Sequence, residues 1–416
     1  MKILVFNPGS NSLKAGVVDC RAGERSAWEG TRLVELIAEG IGGEAKLAIY
    51  EDKKEKDPRP IRAGNFGEAA ISILDWLSAP PEKVKADWRL ADIECVGIRV
   101  VHGGARWTQP VVITDEVDRG IRELAAWAPQ HNPRSAEIFS AIRGRFEDCP
   151  ICAVFDTAFH STIPDRAALY AIPIELSRKH QIRRYGFHGI SHRYLMERYA
   201  AIKQRPVDEL KLVTLHLESG CSATAIAYGK SVDNTMGLTP LEGLMMGTRC
   251  GDVDAALVPF LMQAEGIGVD ETMEILEKKS GLLGVSGKSL DTRVLMKSYA
   301  TDEHVRLAMQ MFCLRVRKAV GAMLAELGGA DAIIFGGGIG ENTPLVRKRV
   351  CDGLRWSGLQ MDEAQNAKLI DVEGRLTAEG SPIEAYVIPT DETLEIAHEC
   401  VQMLTADARQ RPIAAA

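Results

Sequence analysis

Residues 2–18 read KILVFNPGSNSLKAGVV, and residues 212–228 read LVTLHLESGCSATAIAY. Each stretch consists of an apolar run, a short turn of small and polar residues, and a second apolar run, which is the pattern of a β-hairpin. Turns rich in glycine and hydroxyl side chains expose backbone N–H groups that bind phosphate oxygens. Two such hairpins, one in each half of the chain, predict a duplicated fold that holds a nucleoside phosphate from both sides.

Composition narrows the class of protein. The chain has 416 residues, enough for two domains, and a net charge of −7, which argues against nucleic acid as its main partner. The first residues already read as a strand, and no apolar run reaches membrane-spanning length, so we expect neither a signal peptide nor a membrane segment. Nine scattered cysteines favour reduced thiols and a cytoplasmic location. The pair Cys149 and Cys152 is better interpreted as small apolar residues entering a buried strand than as a redox or metal site.

Strand-length and helix-length apolar patterns alternate along the chain, which predicts the α/β class. The predicted strands are 95–101, 151–155, 212–217 and 332–335. The predicted helices are 67–77, 134–143, 192–203, 254–263, 305–327 and 345–354. We expect the polar segment 51–62, which contains two prolines, to be a surface loop, and the tail 407–416 to be frayed.

The first hairpin turn concentrates groups that suit phosphate and metal. Phosphoryl transfer needs donors for phosphate oxygens and oxygen ligands for Mg²⁺. Asn7 is therefore a candidate ligand of the metal or of its water, beside the hydroxyls of Ser10 and Ser12. Lys14 is a candidate phosphate contact, and a solvated position on the second strand is an equally good interpretation.

Two arginines lie next to glycines in separate halves of the chain. Arg99 lies in or at the end of a predicted strand before Gly103 and Gly104, and Arg249 lies between Gly247 and a further glycine. Arginine binds carboxylates and phosphates with two parallel hydrogen bonds. The pair is thus a candidate clamp for a phosphoryl group in transfer.

Asp156 and three histidines complete the candidate catalytic residues. Asp156 follows the apolar run 151–155, at a strand end where ligands bind in α/β sheets, so it can hold Mg²⁺, position the attacking group, or cap a helix. His188 and His192 are four apart, but Gly189 and the lack of a following glutamate disfavour zinc. At its glycine-flanked turn, His188 suits donation to a transition-state oxygen. His216 belongs either to the site or to the core.

The segment FGGGIGENT at residues 335–343 follows a predicted strand and precedes a predicted helix. Its glycines do not have the G-x-G-x-x-G spacing of a dinucleotide site. They allow close approach of the backbone to an adenosine. The candidate nucleotide contacts in this segment are Gly336, Gly337, Gly338, Ile339, Gly340 and Asn342.

Taken together, these residues resemble the acetate kinase family, within the superfamily of sugar kinases, heat-shock ATPases and actin. The resemblance runs from Asn7 to Glu392 and includes two long blocks, YGFHG at 185–189 and TPLEGLMMGTR at 239–249. It implies duplicated actin-like, ribonuclease H-like α/β domains with the active site in the cleft between them. The implied domains are 1–156 with 393–416, and 157–392, the second binding the nucleotide.

The resemblance also implies the reaction and the roles. The reaction is reversible in-line transfer of the ATP γ-phosphoryl group to a short carboxylate, giving an acyl phosphate and ADP, with Mg²⁺ or Mn²⁺ and in a homodimer. The metal residues are Asn7 and Glu392. The catalytic residues are Arg99, Asp156, His188 and Arg249. The acyl pocket contains Arg99, Val101, Gln130, Phe187 and Pro240. The nucleotide contacts are Lys14, His216, Gly220 and the glycine-rich segment.

Three departures from the family pattern bear on substrate choice. The mid-chain turn, usually His-Leu-Gly-Asn-Gly, has Glu218 and Ser219 at its third and fourth positions. A pocket leucine is replaced by Gln130, and the late motif Pro-Thr-Asn-Glu-Glu reads PTDET at 389–393. The alternatives are therefore a propionate, butyrate or other short-acid kinase, a kinase with another phosphoryl donor, and a non-catalytic sensor of nucleotide or acyl phosphate.

Overall fold

The computed structural model describes residues 1–20, 30–51, 54–81 and 88–410. The chain divides into two compact units, unit 1 (Met1–Phe159 with Asp391–Ala416) and unit 2 (His160–Thr390). Unit 1 is thus built from both ends of the chain. None of the helices in the described ranges is long and apolar enough to cross a membrane.

Both units are α/β. The strands are β1 (Lys2–Pro8), β2 (Ser12–Cys20), β3 (Gly30–Glu39), β4 (Lys46–Glu51), β5 (Lys54–Pro60), β6 (Ile93–Val100), β7 (Val111–Val112), β8 (Ile151–Phe155), β9 (Lys211–Leu217), β10 (Cys221–Ala227), β11 (Lys230–Asn234), β12 (Ala332–Gly336), β13 (Gly374–Arg375) and β14 (Glu384–Val387). The helices are α1 (Phe66–Ser78), α2 (Asp115–Glu123), α3 (Asn132–Ile142), α4 (Asp165–Ala168), α5 (Ile174–His180), α6 (Gly189–Lys203), α7 (Leu257–Glu265), α8 (Val269–Lys278), α9 (Gly281–Ser286), α10 (Thr292–Met296), α11 (Glu303–Leu327), α12 (Gly337–Asn342), α13 (Pro344–Asp352), α14 (Glu363–Lys368) and α15 (Glu392–Gln410).

The unit 1 sheet has the order β5-β4-β3-β2-β1-β6-β8-β7. The first predicted hairpin is confirmed, because β1 and β2 pair antiparallel with Asn7 opposite Lys14. β6 and β8 then run parallel to β1, so the carboxyl ends of these three strands meet at one edge. Leu4 and Phe6 of β1 join the apolar cluster with residues of α1 and α3. Ile3 and Val5 are also fully buried, as expected of a strand covered on both faces.

The unit 2 sheet has the order β11-β10-β9-β12-β14-β13. The second predicted hairpin is confirmed too, with Leu217 of β9 opposite Cys221 of β10. β12 lies parallel to β9 on its other side, with Gly336 opposite His216. The glycine-rich segment therefore leaves the sheet beside the hairpin turn.

The predicted strands and helices are present to within three residues at each end. The predicted loop at 51–62 is wrong at Glu51, where β4 ends, and over Lys54–Pro60, which form β5, whereas residues 52 and 53 lie outside the described residues. β5 is an edge strand, where proline is tolerated since one side of the strand needs no ladder hydrogen bonds. The predicted fraying of 407–416 is wrong up to Gln410, where α15 ends. Residues 411–416 lie outside the described residues.

Candidate active site

In unit 1, four predicted site residues form one polar cluster at the carboxyl edge of the parallel strands. Arg99 contacts Asp156 at 3.1 Å through Nε and at 2.5 Å through Nη2. Arg99 Nη1 also donates to Asn7 Oδ1 at 3.2 Å. Asn7 Nδ2 in turn donates to Glu392 Oε2 at 2.7 Å. The cluster thus joins β1, β6, the residue after β8, and the first residue of α15.

The charges and donor atoms of this cluster suit a hard cation. Asp156 is 1% exposed and Asn7 is 6% exposed, so the groups are shielded from water. Arg99 is paired with Asp156, and its Nη1 lies 3.9 Å from the Glu392 carboxylate. Asn7, Asp156 and Glu392 offer only oxygen ligands, which is the donor set that Mg²⁺ and Mn²⁺ prefer. The residues present therefore fit the predicted metal.

The other unit 1 candidates lie close to these strands in sequence. Lys14 is exposed on β2. Val101 follows β6 and is 4% exposed, and Gln130 is half-buried in the turn before α3. The remaining residues assigned to the acyl pocket, Phe187 and Pro240, belong to unit 2. The pocket itself stays a prediction.

In unit 2, a chain of hydrogen bonds runs from the side chain of His188 to that of Thr214. His188 precedes α6 and has a left-handed backbone with φ of 57°. Its Nδ1 is 2.8 Å from Ser222 Oγ, which is also 2.7 Å from His192 Nε2. The other nitrogen of His192 lies 2.8 Å from Thr214 Oγ1. The two histidines that zinc spacing suggested are thus joined through a serine hydroxyl.

Burial sets the charge of His192. It is fully buried, and removal from water is the main cause that holds its pKa well below 6.5, with electrostatic interactions with His160 and His216 acting in the same direction. His192 is therefore neutral at pH 7 and carries a single N–H. A hydrogen-bonded neighbour with one proton restricts the tautomer that His188 adopts.

Gly220 makes room for two predicted catalytic side chains. A Cβ there would lie 2.7 Å from Arg249 Nη2 and 3.1 Å from His188 Nε2. Only glycine allows both groups to approach the hairpin turn this closely. Arg249 Nη1 donates to the Pro240 carbonyl at 2.5 Å. Burial lowers the pKa of Arg249, but an arginine side chain stays protonated in proteins. A guanidinium and an imidazole thus converge on one turn.

His216 connects this cluster to the second hairpin turn. Its ring stacks on His188 with centroids 4.2 Å apart, and its Nδ1 is 2.7 Å from Ser191 Oγ. Glu218 departs from the family pattern, and its side chain is half exposed, with Oε2 3.8 Å from His216 Nε2. The carboxylate is therefore neither buried in the turn nor remote from it.

The glycine-rich segment forms the end of β12 and the short helix α12. Gly337 has φ of +74°, and a Cβ there would lie 2.7 Å from the backbone of Leu217. Asn342 Nδ2 donates to the Gly338 carbonyl at 3.0 Å. The start of the segment thus lies beside the end of β9, with Gly336 opposite the candidate His216 and Gly337 against Leu217. Lys14 belongs to unit 1.

Sequence reasoning missed Ser222, Thr214 and the role of His192. The available signal was the spacing of four residues between His188 and His192, but it was considered only as a possible zinc site. Ser222 and Thr214 carried no signal, since a hydroxyl inside an apolar strand is common. Their relevance follows from tertiary contacts, in which Ser222 links His188 to His192 and Thr214 contacts His192.

Comparison with known proteins places this geometry in a class. The acetate kinase of Porphyromonas gingivalis has a structure that matches with a TM-score of 0.87 and 36% identity, over 97% of this chain and 99% of that one. A propionate kinase from Francisella tularensis matches with a TM-score of 0.86 and 36% identity, over 96% and 98%. The predicted α/β fold of the actin-like ATPase class is confirmed. The protein belongs to the class of kinases.

Sequence comparison identifies the family. The model of the Acetokinase family matches residues 2–398. The acetate kinase of Solibacter usitatus is 44% identical over 414 residues, covering 98% of this chain and 99% of the relative. That of Thermotoga maritima is 41% identical over 407 residues, covering 97% and 99%. The chain belongs to the acetokinase family.

Proposed function

We propose that this chain transfers the γ-phosphoryl group of ATP to acetate or another short-chain carboxylate, reversibly, giving an acyl phosphate and ADP. The observation that carries the proposal is the convergence of Arg249 and His188 on Gly220, in a chain of the acetokinase family. Neighbours named as acetate and propionate kinases support a short acid as acceptor.

The proposed step is a direct in-line displacement. A carboxylate oxygen attacks the γ-phosphorus, and the bond to the bridging oxygen breaks so that its electron pair leaves with ADP. Little covalent assistance is needed, so positioning and charge neutralisation do most of the work. Arg99 and Arg249 balance the charge of the carboxylate and the phosphoryl group, and His188 donates to a phosphoryl oxygen. Asp156 orients Arg99 through their paired hydrogen bonds.

Metal and nucleotide roles complete the proposal. Asn7, Asp156 and Glu392 would hold Mg²⁺ or Mn²⁺, which supplies positive charge to the phosphates when bound. His216, Gly220 and the segment 336–342 would contact the nucleotide, with Lys14 as a further phosphate contact. Val101, Gln130, Phe187 and Pro240 would line the acyl pocket. The family resemblance supports a homodimer. The nine cysteines, none of which forms a disulfide, support a cytoplasmic location.

A coupled assay tests the reaction. Acetate, propionate, butyrate and glycolate are each offered with ATP, GTP and pyrophosphate, because Gln130 and Glu218 bear on acceptor and donor. Turnover with ATP and a short acid is expected. Nucleotide binding without turnover for every pair of acid and phosphoryl donor would overturn the proposed kinase activity and favour the sensor function.

Arginine variants test the roles within that assay. Arg99→Ala and Arg249→Ala should each lower kcat by about 100-fold or more, since one transition-state donor contributes roughly 3 kcal/mol. Arg293→Ala is the matched control, because that side chain is 83% exposed and pairs only locally with Asp291. A folded Arg99 or Arg249 variant within threefold of the control would remove that arginine from the mechanism.

A further inference from the structure

Three cysteines converge in the core of unit 1. Cys95 lies on β6, Cys152 on β8 and Cys400 on α15, and all three are fully buried. Their sulfur atoms lie within 4.8 Å of one another, and those of Cys95 and Cys152 are 3.4 Å apart. Cys152 thus has thiol neighbours from other elements, although the sequence paired it with Cys149.

Gly97 lies against this thiol cluster. It is opposite Cys152 in the β6–β8 register, and a Cβ on it would lie 2.9 Å from the sulfur of Cys400. A larger residue at this position would therefore push Cys400 away from the two strands. The close approach of three thiols depends on a glycine between them.

The thiols of Cys95 and Cys400 hold their protons firmly, which limits the ligand that the cluster can accept. Hydrogen bonding to neighbouring thiols, chiefly Cys152, raises the pKa of Cys400 well above 9, and burial adds to the effect. Hydrogen bonding with Cys152 likewise raises the pKa of Cys95. A divalent metal bound by three thiolates would leave a net negative charge in an apolar core, which is costly. A trivalent centre bound by three thiolates carries no net charge.

We propose that Cys95, Cys152 and Cys400 form a binding site for trivalent arsenic, taken up as arsenous acid. The centre is thiophilic, as sulfur-rich sites require. In the reaction, each thiol forms one S–As bond as one As–OH bond breaks, and each thiol proton leaves with the hydroxide as water. No electron is transferred and no charge is created, so no oxidant or reductant is needed.

The elements that carry the thiols also carry the unit 1 polar cluster. Arg99 follows Cys95 on β6, Asp156 follows the strand of Cys152, and Glu392 begins the helix that contains Cys400. Drawing the three sulfur atoms onto one centre shifts these elements relative to one another. Bound arsenic should therefore lower the rate of phosphotransfer. This inhibition rests on the proposed function, whereas arsenic binding is independent of it.

Elemental analysis of the full-length protein tests binding directly. The protein is incubated with arsenite for hours, so that local opening can admit the ligand to a buried site, and is then desalted. One arsenic per chain is expected. Cys95→Ala, Cys152→Ala and Cys400→Ala should each weaken binding at least about tenfold. Cys351→Ala, equally buried but in unit 2, is the matched control and should bind like the unchanged protein.

X-ray absorption at the arsenic edge keeps the test independent of the variants. Three sulfur neighbours of arsenic are expected in the unchanged protein, and this measurement remains valid if a cysteine variant fails to fold. Absence of bound arsenic after incubation, or after refolding with arsenite, would show an ordinary core cluster and overturn the site. Binding that persists in folded Cys95→Ala with three sulfur neighbours would also overturn it. Loss of phosphotransfer on arsenite addition should disappear in the same variants that lose arsenic.

Discussion

Ser222 is the residue whose importance depends most on its neighbours. Its hydroxyl lies between His188 and His192, at 2.8 and 2.7 Å, and all three groups are buried. A neutral His192 with one N–H makes this hydroxyl a directional link rather than a general polar contact. We interpret Ser222 as a positioning residue that orients the His188 ring.

Replacing that hydroxyl gives the first prediction. Ser222→Ala should lower kcat by about 10- to 100-fold, in the range of a positioned proton donor, with little change in the KM for ATP. The pH profile of kcat should also shift, because the ring loses the partner that fixes its tautomer. Ser222→Thr should recover part of the rate. Ser231→Ala, which removes the same contact from His160 at 2.8 Å, should leave the profile unchanged; a shift there would contradict the assignment.

His160 gives a prediction about stability and pH. It is fully buried, and burial lowers its pKa from 6.5 to about 4, with the hydrogen bond to the Phe187 carbonyl acting weakly in the other direction. As pH falls from 6.5 to 4, the unfolded chain binds a proton that the folded chain does not, so stability decreases over this window. The loss attributable to His160 is about 3 kcal/mol once pH is below 4.

Urea unfolding between pH 7 and pH 4 measures this effect. His160→Gln removes the titrating group, so its stability should fall less steeply with decreasing pH than that of the unchanged protein. His304→Gln, at an exposed position on α11, should keep the original slope. Equal slopes for all three proteins would show that another group controls the acid sensitivity.

At the scale of elements, α12 shows how one backbone position supports a site. Gly337 begins this helix with a left-handed backbone and lies against Leu217 at the end of β9. For Gly338, its neighbour in the same helix, the nearest atom of another segment to a Cβ, among the described residues, is Glu218 Cγ at 3.9 Å. The two glycines are alike in sequence but differ in what a methyl group would meet.

A pair of alanine substitutions separates the two positions. Gly337→Ala should lower the free energy of unfolding by about 2 kcal/mol or more, from left-handed strain and overlap with backbone atoms. Gly338→Ala should not lower it and should raise it by up to about 1 kcal/mol, because alanine favours the helix more than glycine does. Thermal unfolding of unliganded protein checks both. Similar melting temperatures for the two variants would contradict the geometry at Gly337.

At the scale of the whole molecule, the chain is organised as two units with separate cores. Unit 2 is continuous in sequence, whereas unit 1 needs α15, which packs against β1, β2, β6 and β8. The predicted catalytic residues are divided, with Arg99 and Asp156 in unit 1 and His188 and Arg249 in unit 2. Folding and activity should therefore separate.

Expression of residues 160–390 alone tests this separation. The fragment should fold with a cooperative thermal transition, because it retains its complete sheet and core, and it should show no phosphotransfer. Circular dichroism and the coupled assay measure the two properties beside the full chain. A fragment without a cooperative transition would show that unit 2 does not fold independently.

The sequence alone determined the local structure and the family. The hairpins at Asn7 and Gly220 were predictable because alternating apolar strands and small-residue turns are local patterns. The blocks at 185–189 and 239–249 identified the family in the same way. The edge strand at 54–60 was not predictable from its sequence, because its prolines predict a loop. Proline is tolerated in this strand only because it lies at the edge of the sheet, and that position depends on the tertiary structure.

Only the tertiary structure decided which side chains meet. Asn7 of β1 contacts Glu392 at the start of α15, and Ser222 of β10 lies between His188 and His192 at the start of α6, because these helices pack against the sheets. The thiols of Cys95, Cys152 and Cys400 meet for the same reason. Spacing along the chain encodes what a segment forms, whereas long-range contacts depend on how the sheets and helices assemble around the core of each unit.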